Sequence, residues 1–130
     1  MKYLTWFFLV VLSPQVHAKL LLYSDDLFIG CLDCVPSISD SVCNLEGRYG
    51  NPDSALSIWN PEGPYGSVSS PQSPWSGSMT GPIMMDEYGR VFGWFQINPQ
   101  GGYTNSAKLN DLFHEMNGDL VKIRDAFCRD

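Results

Sequence analysis

The chain has 130 residues, 44% of them hydrophobic, and its 14 acidic residues outnumber its 8 lysines and arginines, for a net charge of -6. This length suits one compact domain and leaves no room for two of ordinary size. The acidic balance argues against non-specific binding to nucleic acid or anionic lipid, because both kinds of binding need basic patches.

Residues 1–18 have the pattern of a secretory signal peptide. Lys2 gives a positive start, an apolar run extends from Tyr3 to Leu12, and Val16-His17-Ala18 supplies a small-residue cleavage site. The apolar run is too short for a bilayer span, which needs about 20 apolar residues. We therefore predict cleavage after Ala18 and a mature domain at 19–130, exported to the periplasm or outside the cell, with no membrane span.

A lipoprotein signal is the competing interpretation of this N-terminal region. Ile29-Gly30-Cys31 faintly resembles the site where such a signal is cut before a lipid-bearing cysteine. Asp25 and Asp26, however, lie between the apolar run and that cysteine. The ordinary secretory signal is favoured for this reason.

The four cysteines all lie in the predicted mature region, at Cys31, Cys34, Cys43 and Cys128. An even number of cysteines in a small exported chain is typical of a disulfide framework. Three pairings are open. In each of them Cys128 bonds to one of the other three cysteines, so the C-terminus is tied to the N-terminal third.

Zinc binding and redox chemistry are the alternatives for the cysteines. Cys31-Leu32-Asp33-Cys34 has the C-x-x-C spacing found in zinc knuckles and in redox-active pairs. Cys43 and Cys128 do not form a second close pair, which weakens the zinc hypothesis. Serine- and proline-rich sequence follows, and this is not the βαβ context of a thioredoxin-like site.

A 16-residue internal repeat occupies 41–78. Ser41-Val42-Cys43-Asn44 aligns with Ser57-Ile58-Trp59-Asn60 and then with Ser73-Pro74-Trp75-Ser76. Gly, Asn and Pro recur between these segments, and they favour turns rather than a helix or a sheet interior. The pattern predicts an irregular coil of repeated turns that packs against the rest of the domain, since two units are too few for a free-standing solenoid.

Large aromatic side chains recur at matching places in this coil. Two interpretations remain open for Trp59, Tyr65 and Trp75. They serve as hydrophobic anchors of the coil, because aromatic rings bury large areas in small cores. Alternatively they form a binding surface that stacks on sugar rings or on a partner.

Regular elements are predicted on both sides of the coil. Short strands fit 20–23 and 27–32, and a β-hairpin fits 83–97, where two β-type runs flank an acidic, glycine-containing turn. The tail at 106–128 changes to helical periodicity, with Asn117-Gly118 ending one helix and Asp119 capping a second. The fold class is thus α+β: a small single domain stabilised by disulfides.

Candidate catalytic groups are few. His114 is the single histidine of the predicted mature chain, and its place on a helix is typical of a surface residue. The acidic pairs Asp25-Asp26 and Asp86-Glu87 fall in predicted turns, where such residues are common. No phosphate-binding loop, dinucleotide fingerprint or calcium-loop motif is present, so we predict no cofactor and no metal.

The repeat wording resembles that of a set of small exported bacterial proteins. The resemblance rests on Gly30 to Cys34, on the two Ser-x-x-Asn segments and on Gly47-Arg48-Tyr49-Gly50, and it covers roughly 27–98. It implies a bacterial origin and a recurrent domain. No activity is established for that set, so the resemblance transfers no catalytic or binding residue.

Together these observations predict an exported, non-enzymatic binding or structural module at the cell envelope. Its partner would be a protein or a glycan rather than a nucleic acid. The alternatives are a small hydrolase that uses His114, and a zinc or redox module built on Cys31 and Cys34.

Overall fold

The computed structural model describes residues 18–78, 80–97 and 106–129, so the predicted signal peptide lies outside the described residues apart from Ala18. The elements are β1 (Leu20–Ser24), β2 (Leu27–Cys31), β3 (Ile83–Asp86), β4 (Val91–Trp94), α1 (Ser106–Glu115) and α2 (Leu120–Phe127). The α+β prediction is confirmed. The fourth strand, however, ends at Trp94 rather than at Ile97.

The four strands form one antiparallel sheet in the order β2-β1-β3-β4. β1 and β2 are joined by a tight turn in which Asp25 has a φ of 52°, and β3 and β4 form the second hairpin. The early end of β4 follows a bulge in its pairing with β3 and the positive φ of Gly93, 120°. A bulge breaks the ladder locally and bends the strand.

Alternation along the strands gives the sheet an inner and an outer face. Leu22 pairs with Met84, and these side chains are 0% and 2% exposed. Both belong to the hydrophobic core. The residues on either side of them in β1 and β3 therefore point to the outer face.

A coil of consecutive turns, residues 38–76, follows the first hairpin and is called the turn coil below. From Ser41 to Ser73, amides at nearly every third position donate to the carbonyl three residues earlier. One four-residue step occurs at Asn51 and again at Ser67, 16 residues later. This coil has no ladder of its own. Its backbone groups are satisfied turn by turn, as buried chain requires.

Serine and tryptophan side chains hold successive coils together. The buried hydroxyls of Ser41, Ser57 and Ser73 each accept a hydrogen bond from the amide two residues on. The indole Nε1 of Trp59 donates to the Val42 carbonyl at 2.7 Å, and that of Trp75 donates to the Ile58 carbonyl at 2.6 Å. Each ring therefore stacks one coil on the previous one and satisfies its buried carbonyl.

The turn coil is anchored at both ends. At its start, the Val42 amide donates to the Cys31 carbonyl of β2, at 3.0 Å. At its end, the Pro74 carbonyl accepts from the amide of Ile97, beyond β4, at 2.7 Å. The carbonyls of Val42, Ile58 and Pro74 thus form one row, in which the last is capped by backbone instead of a tryptophan. The coil covers the open side of β2.

Two short helices complete the core. Gly118, with φ 72°, ends α1, and the Asp119 carboxylate caps α2 by accepting from the amides of Val121 and Lys122. This agrees with the predicted stop and cap. The ring of Phe113 in α1 stacks on Trp75 at 6.0 Å, and the ring of Phe127 in α2 lies 6.0 Å from Trp59. The helices therefore pack on the tryptophans of the turn coil.

Asp86 organises the turn between β3 and β4. Its carboxylate accepts from the amides of Arg90 and Tyr88, each at 2.9 Å, and from the Arg90 guanidinium at 3.1 Å. The backbone hydrogen bond from Arg90 lowers the pKa of Asp86. The Tyr88 amide and the charge of Arg90 add to this effect, while burial of the carboxyl opposes it.

Asp86 is expected to make stability depend on pH at acid pH. Because its folded pKa lies below the ordinary value of 3.8, its stabilisation is complete above that value and is lost as the pH falls through the folded pKa. Asp86→Asn should lower the melting temperature at neutral pH and should change it less at about pH 2. The control is Glu87→Gln in the same turn. Equal shifts for Asp86→Asn at both pH values would contradict the assignment.

Candidate binding surface

The outer face of the sheet is built almost entirely from apolar side chains. Residues paired directly across antiparallel strands lie on the same face. One row across the four strands is Phe28, Tyr23, Ile83 and Trp94, and a second is Cys31, Leu21, Met85 and Val91. The seven non-cysteine residues of these two rows are called the outer sheet face below.

The outer sheet face is partly accessible to solvent. Its side chains are of intermediate exposure, and Val91 is 58% exposed. Among the described elements, close packing occurs between the paired strands and between the two helices, and no described helix packs along the sheet. Most antiparallel sheets that face solvent alternate apolar and polar side chains, so an apolar second face is a feature that needs a function.

Aromatic rings extend the first row onto the turn coil. The centroids of Tyr23 and Phe28 lie 5.6 Å apart with their planes at 64°, and those of Phe28 and Tyr49 lie 5.0 Å apart at 76°. These are edge-to-face contacts, a favourable geometry for aromatic pairs. Adjacent rings are therefore steeply inclined to one another and do not make a flat platform.

A pocket of about 230 Å³ opens at one end of the outer sheet face. Leu21, Phe28 and the cysteines Cys31 and Cys34 provide its apolar wall, and Lys19, Asp40 and Glu87 provide its charged rim. Asp33 lies beside it and accepts a hydrogen bond from the Leu20 amide at 2.8 Å. The opposite end of the sheet carries the exposed acids Asp25 and Asp26.

The cysteines form two disulfides, Cys31–Cys34 and Cys43–Cys128. The second bond ties the end of α2 to the first coil, in agreement with the prediction that Cys128 bonds to the N-terminal third. If reduced, Cys31 and Cys34 would offer two sulfurs beside the Asp33 carboxylate, within 4.8 Å of one another. Among the described residues this group supplies three ligands, one fewer than a closed zinc site uses.

The aromatic residues proposed from sequence for binding do not form a common surface. Trp59 is 0% and Trp75 2% exposed, because both rings are packed between coils and helices. Neither can stack on a sugar or a partner, and the binding interpretation is corrected for these two residues. Tyr65 is half-buried and packs against the core. The anchor interpretation describes all three positions.

His114 lies exposed in the last turn of α1. Its ring contacts the neighbouring Phe113 at 6.1 Å, and within the described part of the chain no serine hydroxyl or carboxylate is hydrogen-bonded to it. Asp25 and Asp26 are exposed in the first hairpin turn, while Asp86 is used to organise the second. The residues proposed for catalysis are therefore not brought together.

The outer sheet face was missed at the sequence level for a physical reason. The run Leu20-Leu21-Leu22-Tyr23 is apolar at every position, and so is Ile83-Met84-Met85. Continuous apolar runs of this kind predict strands buried on both faces. The signal was present in the sequence, but it does not say that one of the two apolar faces stays accessible.

Comparisons of the chain with protein-family models, with curated proteins and with solved structures give no match. The functional argument therefore rests on the surface itself.

Proposed function

We propose that this protein is an exported, non-enzymatic binding or structural module of the bacterial cell envelope, in the periplasm or outside the cell, and that it contacts a partner through the outer sheet face. The observation that carries the proposal is the accessible apolar face formed by two rows of side chains across all four strands. An apolar surface of this kind marks an interaction site in small proteins.

Export is supported by the N-terminal signal pattern and by the cysteines. Disulfides form and persist in oxidising compartments outside the cytoplasm. Both cysteine pairs are bonded, and the described part of the chain has no free cysteine. None of the helices within 18–78, 80–97 and 106–129 has the length and apolar character that a bilayer crossing requires.

A protein partner fits the outer sheet face better than a glycan does. Sugar-binding surfaces present ring faces that a sugar can stack on, together with polar groups that bind hydroxyls. Here the rings of Tyr23, Phe28 and Tyr49 meet at 64° and 76°, and their neighbours across the strands are apolar. Such a surface is suited to apolar side chains of another protein.

The two alternatives receive less support from the geometry. A hydrolase needs a base beside His114 or a nucleophile within its reach, and the described residues provide neither. A zinc module needs free thiolates, whereas Cys31 and Cys34 are bonded to each other. A His114→Ala protein that keeps every wild-type property would remove the hydrolase hypothesis.

The proposal is tested by comparing two matched valine substitutions. Val91 on the outer sheet face is 58% exposed, and Val68 on the turn coil is 59% exposed. Each is replaced by lysine, and the mature protein is used to capture partners from an envelope extract by chemical cross-linking. Val91→Lys should lose the partner that the wild type captures, because a lysine would have to be desolvated at the interface.

Val68→Lys is the control, since it adds the same charge at an equally exposed valine. It should capture the partner as the wild type does. The proposed function is contradicted if both variants capture the same proteins as the wild type, or if the wild type captures nothing from either envelope extract or cell-wall glycan.

A further inference from the structure

We propose that the outer sheet face binds a cationic amphipathic protein segment, one whose apolar stripe is flanked by lysine or arginine. This inference rests on the proposed function, and it adds the chemistry of the partner. The apolar rows supply the contact area, and the charges around them select the sign of the partner. Each of these two points is set out below.

The rim of the outer sheet face is predominantly acidic. Asp25 and Asp26 are exposed at the first hairpin turn, and Asp40 and Glu87 are exposed at the pocket end. Lys19 is the basic residue of the pocket rim, and both acids of that rim lie near it.

Arg90 does not change this balance. Its guanidinium is paired with Asp86 at 3.1 Å, and it also lies over the Phe92 ring at 5.6 Å. Its charge is therefore already matched by a buried carboxylate within the second hairpin. The rim has an excess of negative charge, and cationic side chains placed around an apolar centre would complement it.

The same charges disfavour the other occupants of an apolar face. A second copy would bring two acidic rims together, on chains that each carry a net charge of -6 with the signal and one unit more negative without Lys2. Anionic lipid would be repelled in the same way. A cationic protein segment gains from both the apolar rows and the rim, so it is the occupant that these observations favour.

The test uses two synthetic peptides of matched design. Each has leucines along one side of an amphipathic helix, and the other side carries lysines in the first peptide and glutamates in the second. Binding to the mature protein is measured by amide chemical-shift titration at low ionic strength. The lysine peptide should bind at least about tenfold more tightly than the glutamate peptide, since like charges at an interface are repelled.

Salt and the valine variants locate the effect. Raising the ionic strength from about 0.1 M to about 1 M shortens the screening length from about 10 Å to about 3 Å, so the difference between the peptides should shrink. Val91→Lys should weaken binding of the lysine peptide by about tenfold or more. Val68→Lys should leave the affinity within about twofold of the wild type, because it lies away from the contact.

Several outcomes would overturn the inference. Equal affinity for the two peptides would show that the rim does not select charge, and equal loss in both valine variants would show that the site lies elsewhere. A dimer in native mass spectrometry, abolished by Val91→Lys, would make a second copy the occupant. If the peptides do not discriminate but Val91→Lys still loses the captured partner, the proposed function stands and only the partner chemistry is wrong.

Discussion

Replacing Cys43 and Cys128 together by serine is expected to lower the free energy of unfolding by about 4–5 kcal/mol. The bond joins residues 85 apart in sequence, and cross-linking so long a loop removes much of the entropy of the unfolded chain. It also fixes the end of α2, whose Phe127 ring contacts Trp59 and Phe95. Equilibrium unfolding in urea measures the loss.

The short disulfide provides the matched comparison. Cys31 and Cys34 are three residues apart, so the same entropy argument gives only about 2 kcal/mol for Cys31→Ser with Cys34→Ser. A loss from the Cys43–Cys128 replacement no larger than that from the short pair would contradict the role given to the long bond. In that case packing of α2 alone would hold the C-terminus in place.

Gly66→Ala is expected to cost about 3 kcal/mol or more, at the upper end of what overpacking usually does. A Cβ at Gly66 would lie 2.0 Å from the carbonyl oxygen of Asn60 and 2.6 Å from its carbon. That backbone cannot retreat easily. The Asn60 carbonyl accepts from Gly63, and the Asn60 side chain bonds to Ser54 and Glu62.

Gly50 and Gly89 serve as the positive and negative comparisons. Gly50, 16 residues before Gly66, has the same 2.0 Å approach to the Asn44 oxygen, so Gly50→Ala should be equally harmful. Gly89 has a φ of 85° but open space around its Cβ position, so Gly89→Ala should cost only about 1–2 kcal/mol. Thermal unfolding compares all three variants. A Gly66→Ala melting temperature at or above that of Gly89→Ala would show that the coils can separate.

Local sequence signals predicted the regular elements well. Asp119 and the Asn117-Gly118 pair identified the helix boundary because capping depends on neighbouring residues only. The acidic turn from Asp86 to Arg90 identified the second hairpin for the same reason. In the turn coil, hydrogen bonds from Trp59 and Trp75 recur at the spacing seen in the sequence, so there too local chemistry carried the information.

Non-local features could not be predicted in the same way. The pairing of Cys43 with Cys128 depends on where α2 docks, and the sequence left three pairings open. The end of β4 at Trp94 depends on a bulge and on the hydrogen bond between Ile97 and Pro74, which are far apart in sequence. The outer sheet face depends on which side of the sheet the helices and the coil cover.

The first unit of the turn coil shows how the staples and the rings replace one another. The positions of Trp59 and Trp75 correspond, 16 residues earlier, to Cys43. The later two units bury an indole there and bond the preceding coil. The first unit instead carries the cysteine that bonds Cys128, so one position in the coil serves both ways of fixing the fold.

The most direct test of the central claim is site-specific photo-cross-linking in the exporting cell. A photoreactive amino acid is placed at Val91 in one variant and at Val68 in another, since the two sites are equally exposed. The account predicts a covalent adduct with a protein partner from position 91 and none from position 68. No adduct from position 91, or the same adduct from both positions, would contradict a binding role for the outer sheet face.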